Sequence, residues 1–137
     1  MVRGADGLIY VPDTITGKIA VYSIEFPSPS SSSVKFTLID IIAMGMPIDN
    51  LSVDKKGDIW VSGFAHGIKM VQWMQDPVNV RVSGTIWRIK KAEEGHWGVE
   101  KMLEDKEAKF LNAITVARHD VQSGRLFAGG EFRCLAF

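Results

Sequence analysis

Three short stretches share one grammar, and that repetition restricts the fold more than any other feature of the chain. Asp6-Gly7-Leu8-Ile9-Tyr10-Val11, Lys56-Gly57-Asp58-Ile59-Trp60-Val61 and Ser123-Gly124-Arg125-Leu126-Phe127-Ala128 each carry a turn glycine, then an aliphatic residue, an aromatic one and a further apolar one. Their glycines lie 57 − 7 = 50 and 124 − 57 = 67 positions apart. A turn–strand unit returning at this spacing, with about four short strands to a period, predicts propeller blades. The physical reason is burial: one small twisted sheet cannot cover both its faces, so such sheets stack on their neighbours. The alternative is an ordinary meander or sandwich whose turns happen to coincide.

The strands around these turns are legible one by one. Leu8 to Val11, Lys18 to Ile24 and Val34 to Ile42 form the first unit, with a Ser/Pro-rich loop from Pro27 to Ser33 read as a hairpin tip or a short linker. Ile48 to Asp54, Asp58 to Ser62, Ile68 to Trp73, Gly84 to Lys90 and Trp97 to Leu103 form the second. Asn112 to Arg118, Arg125 to Ala128 and Phe132 to Phe137 form the third. The pattern leaves room for no helix longer than Asp105 to Leu111. Trp60, Trp73, Trp87 and Trp97 fall in these strands and are expected to fill the space between blades. The expectation is an all-β chain of about two and a half to three blades, over 1–43, 46–105 and 110–137. That is too few to close a ring, and an open stack exposes the apolar face of its first blade, expected at Leu8, Tyr10, Ile19 and Val21. Self-association through the open faces follows.

Composition narrows the partners rather than the chemistry. Sixteen basic and sixteen acidic residues cancel among 137, which argues against nucleic acid or an anionic membrane. No apolar run approaches the ~18 residues of a membrane-spanning helix, and the first residues, Met1 to Gly7, show no signal-peptide core. The location of the protein is not specified by these features. A single cysteine, Cys134, excludes an internal disulfide and a thiolate zinc cluster. It reads as a small hydrophobe in a late strand, with a reactive thiol as the alternative.

Few residues are placed for chemistry. In Met46-Pro47-Ile48-Asp49-Asn50-Leu51-Ser52-Val53-Asp54, the pair Asp49 and Asn50 offers adjacent hard oxygens of the kind calcium takes. Strand neighbours point to opposite faces, so both reach one ion only at a bulge or a strand end. An Asx turn at strand entry is the competing reading. Asn50-Leu51-Ser52 also fits a glycosylation sequon, in a strand poorly placed for modification. His66 lies in a Gly-rich turn, and His96 in an apparent hairpin tip beside Glu93 and Glu94. His119 precedes Asp120, a sequence pair whose candidate role is a His–Asp general-base dyad, although strand neighbours diverge and no Gly-x-Ser-x-Gly elbow supplies a nucleophile. Lys101 to Lys109 alternates in charge and reads as a solvated face.

With Gly17-Lys18-Ile19-Ala20-Val21-Tyr22, Gly57-Asp58-Ile59-Trp60-Val61, Gly67-Ile68-Lys69 and the close Gly124 to Phe132, these motifs resemble the serum paraoxonase/arylesterase family, most of all its fungal branch, over nearly the whole chain. The resemblance implies the C-terminal part of a six-bladed β-propeller that holds two calcium ions in its tunnel. It also implies a hydrolase that cleaves aryl esters and lactones with calcium as Lewis acid. Asp49 and Asn50 match that family's Asp-Asn pair of catalytic-calcium ligands. The remaining ligands, a Glu and further Asn residues, and the His pair that activates water belong to blades before Val2, so no catalytic residue is assigned here. His66 is offset from the family's loop histidine and takes no role from it. Cys134 is out of register with the family's C-terminal cysteine, and its bonding partner would be missing. The implied substrate is a small ester or lactone of the complete fold, and the chain alone is expected to be inactive. A propeller segment serving as an interaction or scaffold module is the alternative function.

Overall fold

Strand pairing follows the turn glycines. The computed structural model describes residues 1–27, 33–92, 95–130 and 134–136. Its elements are β1 (Val2–Arg3), β2 (Ile9–Asp13), β3 (Lys18–Glu25), β4 (Lys35–Ala43), β5 (Ile48–Val53), β6 (Ile59–Phe64), α1 (Gly67–Gln75), β7 (Gly84–Lys91), β8 (Trp97–Asp105), β9 (Ile114–Asp120), β10 (Arg125–Gly130) and β11 (Cys134–Ala136). They form three antiparallel sheets, ordered β1-β2-β3-β4, β5-β6-β7-β8 and β11-β10-β9. Gly7, Gly57 and Gly124 close the first hairpin of each sheet with φ of +82°, +87° and +68°, which side chains resist. The chain is thus all-β with one short helix. Phe132 and Phe137, at the ends of the last expected strand, lie outside the described residues, as do 28–32 of the Ser/Pro loop and Glu93 and Glu94. Glu25 pairs with Lys35, so that loop joins the two strands of a hairpin.

The expected strand from Ile68 to Trp73 is a helix instead. Its apolar residues recur at strand and at helix spacing, and burial uses the helical one: Met70 and Trp73 are three apart, and Trp73 is buried with Phe64, Val82 and Ala113 while Met70 packs against them. Straight-chain Lys69, Met70, Gln72 and Gln75 lose little rotamer freedom in a helix, which adds to that spacing. Trp73 therefore packs from a helix and not from a strand. The segment after Asp105 makes turns, because the Asp105 carboxylate accepts from the amides of Phe110 and Leu111 and Ala108 sits at φ +51°.

The sheets stack through faces that repeat. Between the first and second lies a core of Tyr10, Ile19, Val21, Ile42, Ile48, Leu51, Ile59, Val61, Trp87 and Ile89. At about 1.5–3 kcal/mol for each large side chain buried, this outweighs surface pairs such as Lys35–Glu25, typically worth about 0–1 kcal/mol. The Tyr10 ring meets Trp97 edge-on at 5.7 Å, and the Trp97 indole donates to Asp40 across the junction. Between the second and third sheets lie Trp60, Ile86, Leu111, Ile114, Ala117 and Ala128. Each sheet thus presents an aromatic residue of its second strand forward, Tyr10 to the second sheet and Trp60 to the third. The flanking aliphatics face back, Ile59 and Val61 to the first sheet, Leu126 and Ala128 to the second.

This corrects the expected open face. Tyr10, Ile19 and Val21 are covered by the second sheet, and Leu8 packs against the same core. The uncovered side of the first sheet carries the opposite residues, in the cross-strand rows Ile9–Tyr22–Leu38, Val11–Ala20–Ile41 and Ile24–Phe36. Phe36, Leu38 and Ile41 are 50–57% exposed there. No helix among the described residues is long and apolar enough to cross a membrane.

Candidate functional site

The best-organised polar centre lies where the second sheet meets the third. Asp54 follows β5 and opens the turn to β6, and its side chain is 1% exposed. One oxygen, Oδ1, accepts from the amides of Lys56 (2.9 Å) and Asp58 (3.1 Å), as an Asx turn does. The other, Oδ2, accepts from the Trp60 indole (3.0 Å) and lies 2.8 Å from His119 Nδ1. The imidazole packs against the Trp60 ring, with centroids 4.6 Å apart. Burial pushes the Asp54 carboxyl up, but the bonds from Trp60, His119 and the two amides outweigh it and hold the group below the usual carboxylate value. An ionised carboxylate only accepts, so Nδ1 is the donor of this contact.

This pair takes the place of the candidate His119–Asp120 dyad, whose strand neighbours diverge as the sequence argued. His119 takes its carboxylate from Asp54, not from Asp120, because adjacent strand residues face opposite sides. Asp120 instead accepts from the amides of Gln122 and Ser123 and from the Ser123 hydroxyl (2.6 Å) in the turn to β10. A cavity of about 310 Å³ opens beside His119, bounded also by Lys55, Arg118, Asp120 and Phe127. An oriented imidazole is half of a general-base arrangement, yet among the described residues no serine, threonine or cysteine lines this cavity to act as nucleophile.

The pair is also the last rung of a seam. Asn50 Nδ2 donates to the Thr115 carbonyl (3.0 Å), Ser52 Oγ to the Ala117 carbonyl (2.6 Å), and Asp54 meets His119. All three rungs join residues 65 apart, so β5 and β9 run side by side in the same direction with side chains in place of a backbone ladder.

Asp49 and Asn50 sit at the start of β5, half-buried and exposed respectively. The β5–β6 register shifts between Ile48, opposite Gly63, and Leu51, opposite Val61. The two residues together therefore oppose Ser62, a bulge of the kind that adjacent ligands require. The bond to Thr115 engages the Asn50 amide nitrogen, and its side-chain oxygen is an acceptor. The other histidines stand apart: His66 precedes α1 and His96 ends a hairpin, both exposed. Among the described residues no three His, Cys, Asp or Glu side chains gather as a metal group. Compared with protein-family models and with curated proteins, the chain matches none.

A pH dependence follows from Asp54. Its proton is held less tightly in the folded chain, so the unfolded chain binds more protons in acid. The stability it confers is complete above the unfolded carboxylate value of about 4 and is lost as pH falls through the lower folded value. Urea unfolding at a series of pH values should show this loss, and Asp54→Asn should flatten that part of the profile. An unchanged profile in the variant would place the acid sensitivity elsewhere.

Proposed function

We propose that the chain is a three-blade section of a six-bladed propeller of the calcium-dependent arylesterase and lactonase lineage that its motifs resemble. The observation that supports this most is the bulge at Asp49 and Asn50, on the strand whose side chains form the seam with β9. Calcium takes about six to eight oxygen ligands. These two side chains are of the right kind and stand where neighbours can serve one ion, so they fit part of such a shell and fall short in number. When bound, calcium supplies the Lewis acid that polarises an ester or lactone carbonyl. Asn50 contributes orientation, since its tether to Thr115 fixes the amide plane. With the other ligands and the water-activating histidines supplied from blades these residues do not include, the chain alone is expected to turn over no ester.

Calcium titration followed by amide NMR tests the reading. Shifts should appear at Asp49, Asn50 and Leu51, saturate only at millimolar calcium or above, and vanish in Asp49→Ala, with no turnover of phenyl acetate or a δ-lactone. Absence of any shift at these amides would remove the calcium reading, and micromolar binding would show a locally complete site. The second reading, an interaction module, is favoured by the apolar uncovered face of the first sheet.

A further inference from the structure

The two ends of the stack are unlike each other, and each resembles one half of the junctions already formed inside the chain. At the first sheet the uncovered side faces back and carries aliphatics, Ile9 and Val11, with Leu38 and Ile41 in the same cross-strand rows. These occupy the places that Ile59 and Val61 hold in the second sheet, where they meet the forward aromatic Tyr10. At the third sheet the uncovered side faces forward and carries an aromatic residue, Phe127, 44% exposed, with Val116 at 38%. Phe127 occupies the place of Trp60.

The charges repeat as well. At the inner seam a forward carboxylate, Asp54, meets a basic side chain on the back of the next sheet, His119. Strand pairing gives the equivalents at the ends. His119 lies opposite Leu126 and Arg3 lies opposite Ile9, so Arg3 stands on the first sheet where His119 stands on the third. Asp120 follows His119 as Asp54 follows Val53, which lies opposite Ile59. An exposed cation on the back end therefore matches a carboxylate on the forward end.

We propose that the occupant of the first sheet's uncovered face is a second copy of this chain, docked head to tail, with Phe127 of one copy on the Ile9–Leu38 face of the other and Asp120 against Arg3. A unit with different, complementary ends repeats one contact, and it forms a ring where the rotation closes. The area favours closure. The third sheet is the smaller end, and its strands of 7, 6 and 3 residues, about 4.8 Å apart, cover roughly 250 Å² of sheet face. One junction thus buries on the order of 500 Å² and two about 1,000 Å², so that only the pair of junctions reaches the size a specific interface needs. Two copies supply six sheets, so the dimer is closed, the second copy standing in the place of the blades that would bring the remaining ligands and histidines. This stoichiometry rests on the six-bladed reading, whereas the contact itself does not.

Light scattering on the eluting full chain tests both. The wild type should run at twice the mass of one chain. Phe127→Glu and Leu38→Glu should each reduce it to monomer while keeping the wild-type circular dichroism. Mixing the two variants should restore a dimer weaker than the wild type's, seen at high concentration, because one junction joins two unaltered faces. A back-to-back contact of two first sheets would instead leave Phe127→Glu dimeric on its own and gain no further dimer on mixing with Leu38→Glu, overturning the proposal. A wild type monomeric at high concentration would do the same, and so would binding only to unrelated protein. Open-ended oligomers would keep the contact and overturn the closed pair. As a check independent of the apolar variants, Asp120→Arg should weaken the dimer at least tenfold and Arg3→Asp in the same chain should recover it. Failure of that rescue would remove the ion pair from the contact.

Discussion

Asp54→Ala is expected to lower the free energy of unfolding by roughly 3–5 kcal/mol, the usual cost of removing one partner from a buried, hydrogen-bonded charge pair. The carboxylate is an acceptor for four donors at once: the Lys56 and Asp58 amides, the Trp60 indole and His119. Alanine leaves the indole nitrogen unpaired in the core and unpins the turn that starts β6. Asp54→Asn should cost less, since one amide oxygen still serves the two backbone donors, while its NH2 group faces the indole donor. Urea unfolding followed by tryptophan fluorescence measures both. The double variant with His119→Ala should cost less than the sum of the two single changes, because they remove one interaction. A loss below about 1 kcal/mol for Asp54→Ala would mean that water replaces the carboxylate, as at an ordinary surface pair.

That centre shows where sequence reading stops. Its partners are 65 positions apart, and no local spacing distinguishes Asp54 from any other turn aspartate before a glycine. The strands were legible because alternation and turn glycines are local properties. Which side of a strand meets a neighbour is not local. Tyr10 and Ile9 are both apolar, and only the stacked repeat decides that the aromatic is covered and the aliphatic is not. The helix was missed because Ile68 to Gln75 has apolar residues at both spacings, and burial of Trp73 beside Phe64 selects the helical one. At Asp49 and Asn50 the sequence supplied a condition, a bulge or a strand end, and the register shift between Ile48 and Leu51 meets it.

The other large effect is expected at Gly17, between β2 and β3, where two constraints coincide. Its φ is +62°, and a β-carbon would stand 2.1 Å from the Met46 carbonyl oxygen and 2.7 Å from the carbonyl carbon. The atom in the way is backbone, so it cannot swing aside as a side chain does. Gly17 also accepts from the Met44 amide at 2.8 Å, which ties the hairpin to the connection between the first two sheets. Gly17→Ala adds left-handed strain of about 1–2 kcal/mol, overpacking of about 1–3 kcal/mol and strain on that bond, together roughly 3–5 kcal/mol. Gly7→Ala is the control, because φ is +82° there but no atom lies within 4 Å of the added carbon. It should cost only the backbone term. The two differ in consequence too. Moving Met46 displaces the chain that leads into Ile48, Asp49 and Asn50, so the amide resonances of the bulge should shift in Gly17→Ala and stay in place in Gly7→Ala. Equal losses of stability in the two variants would mean that the Met46 carbonyl yields freely and that the connection does not hold β5 in position.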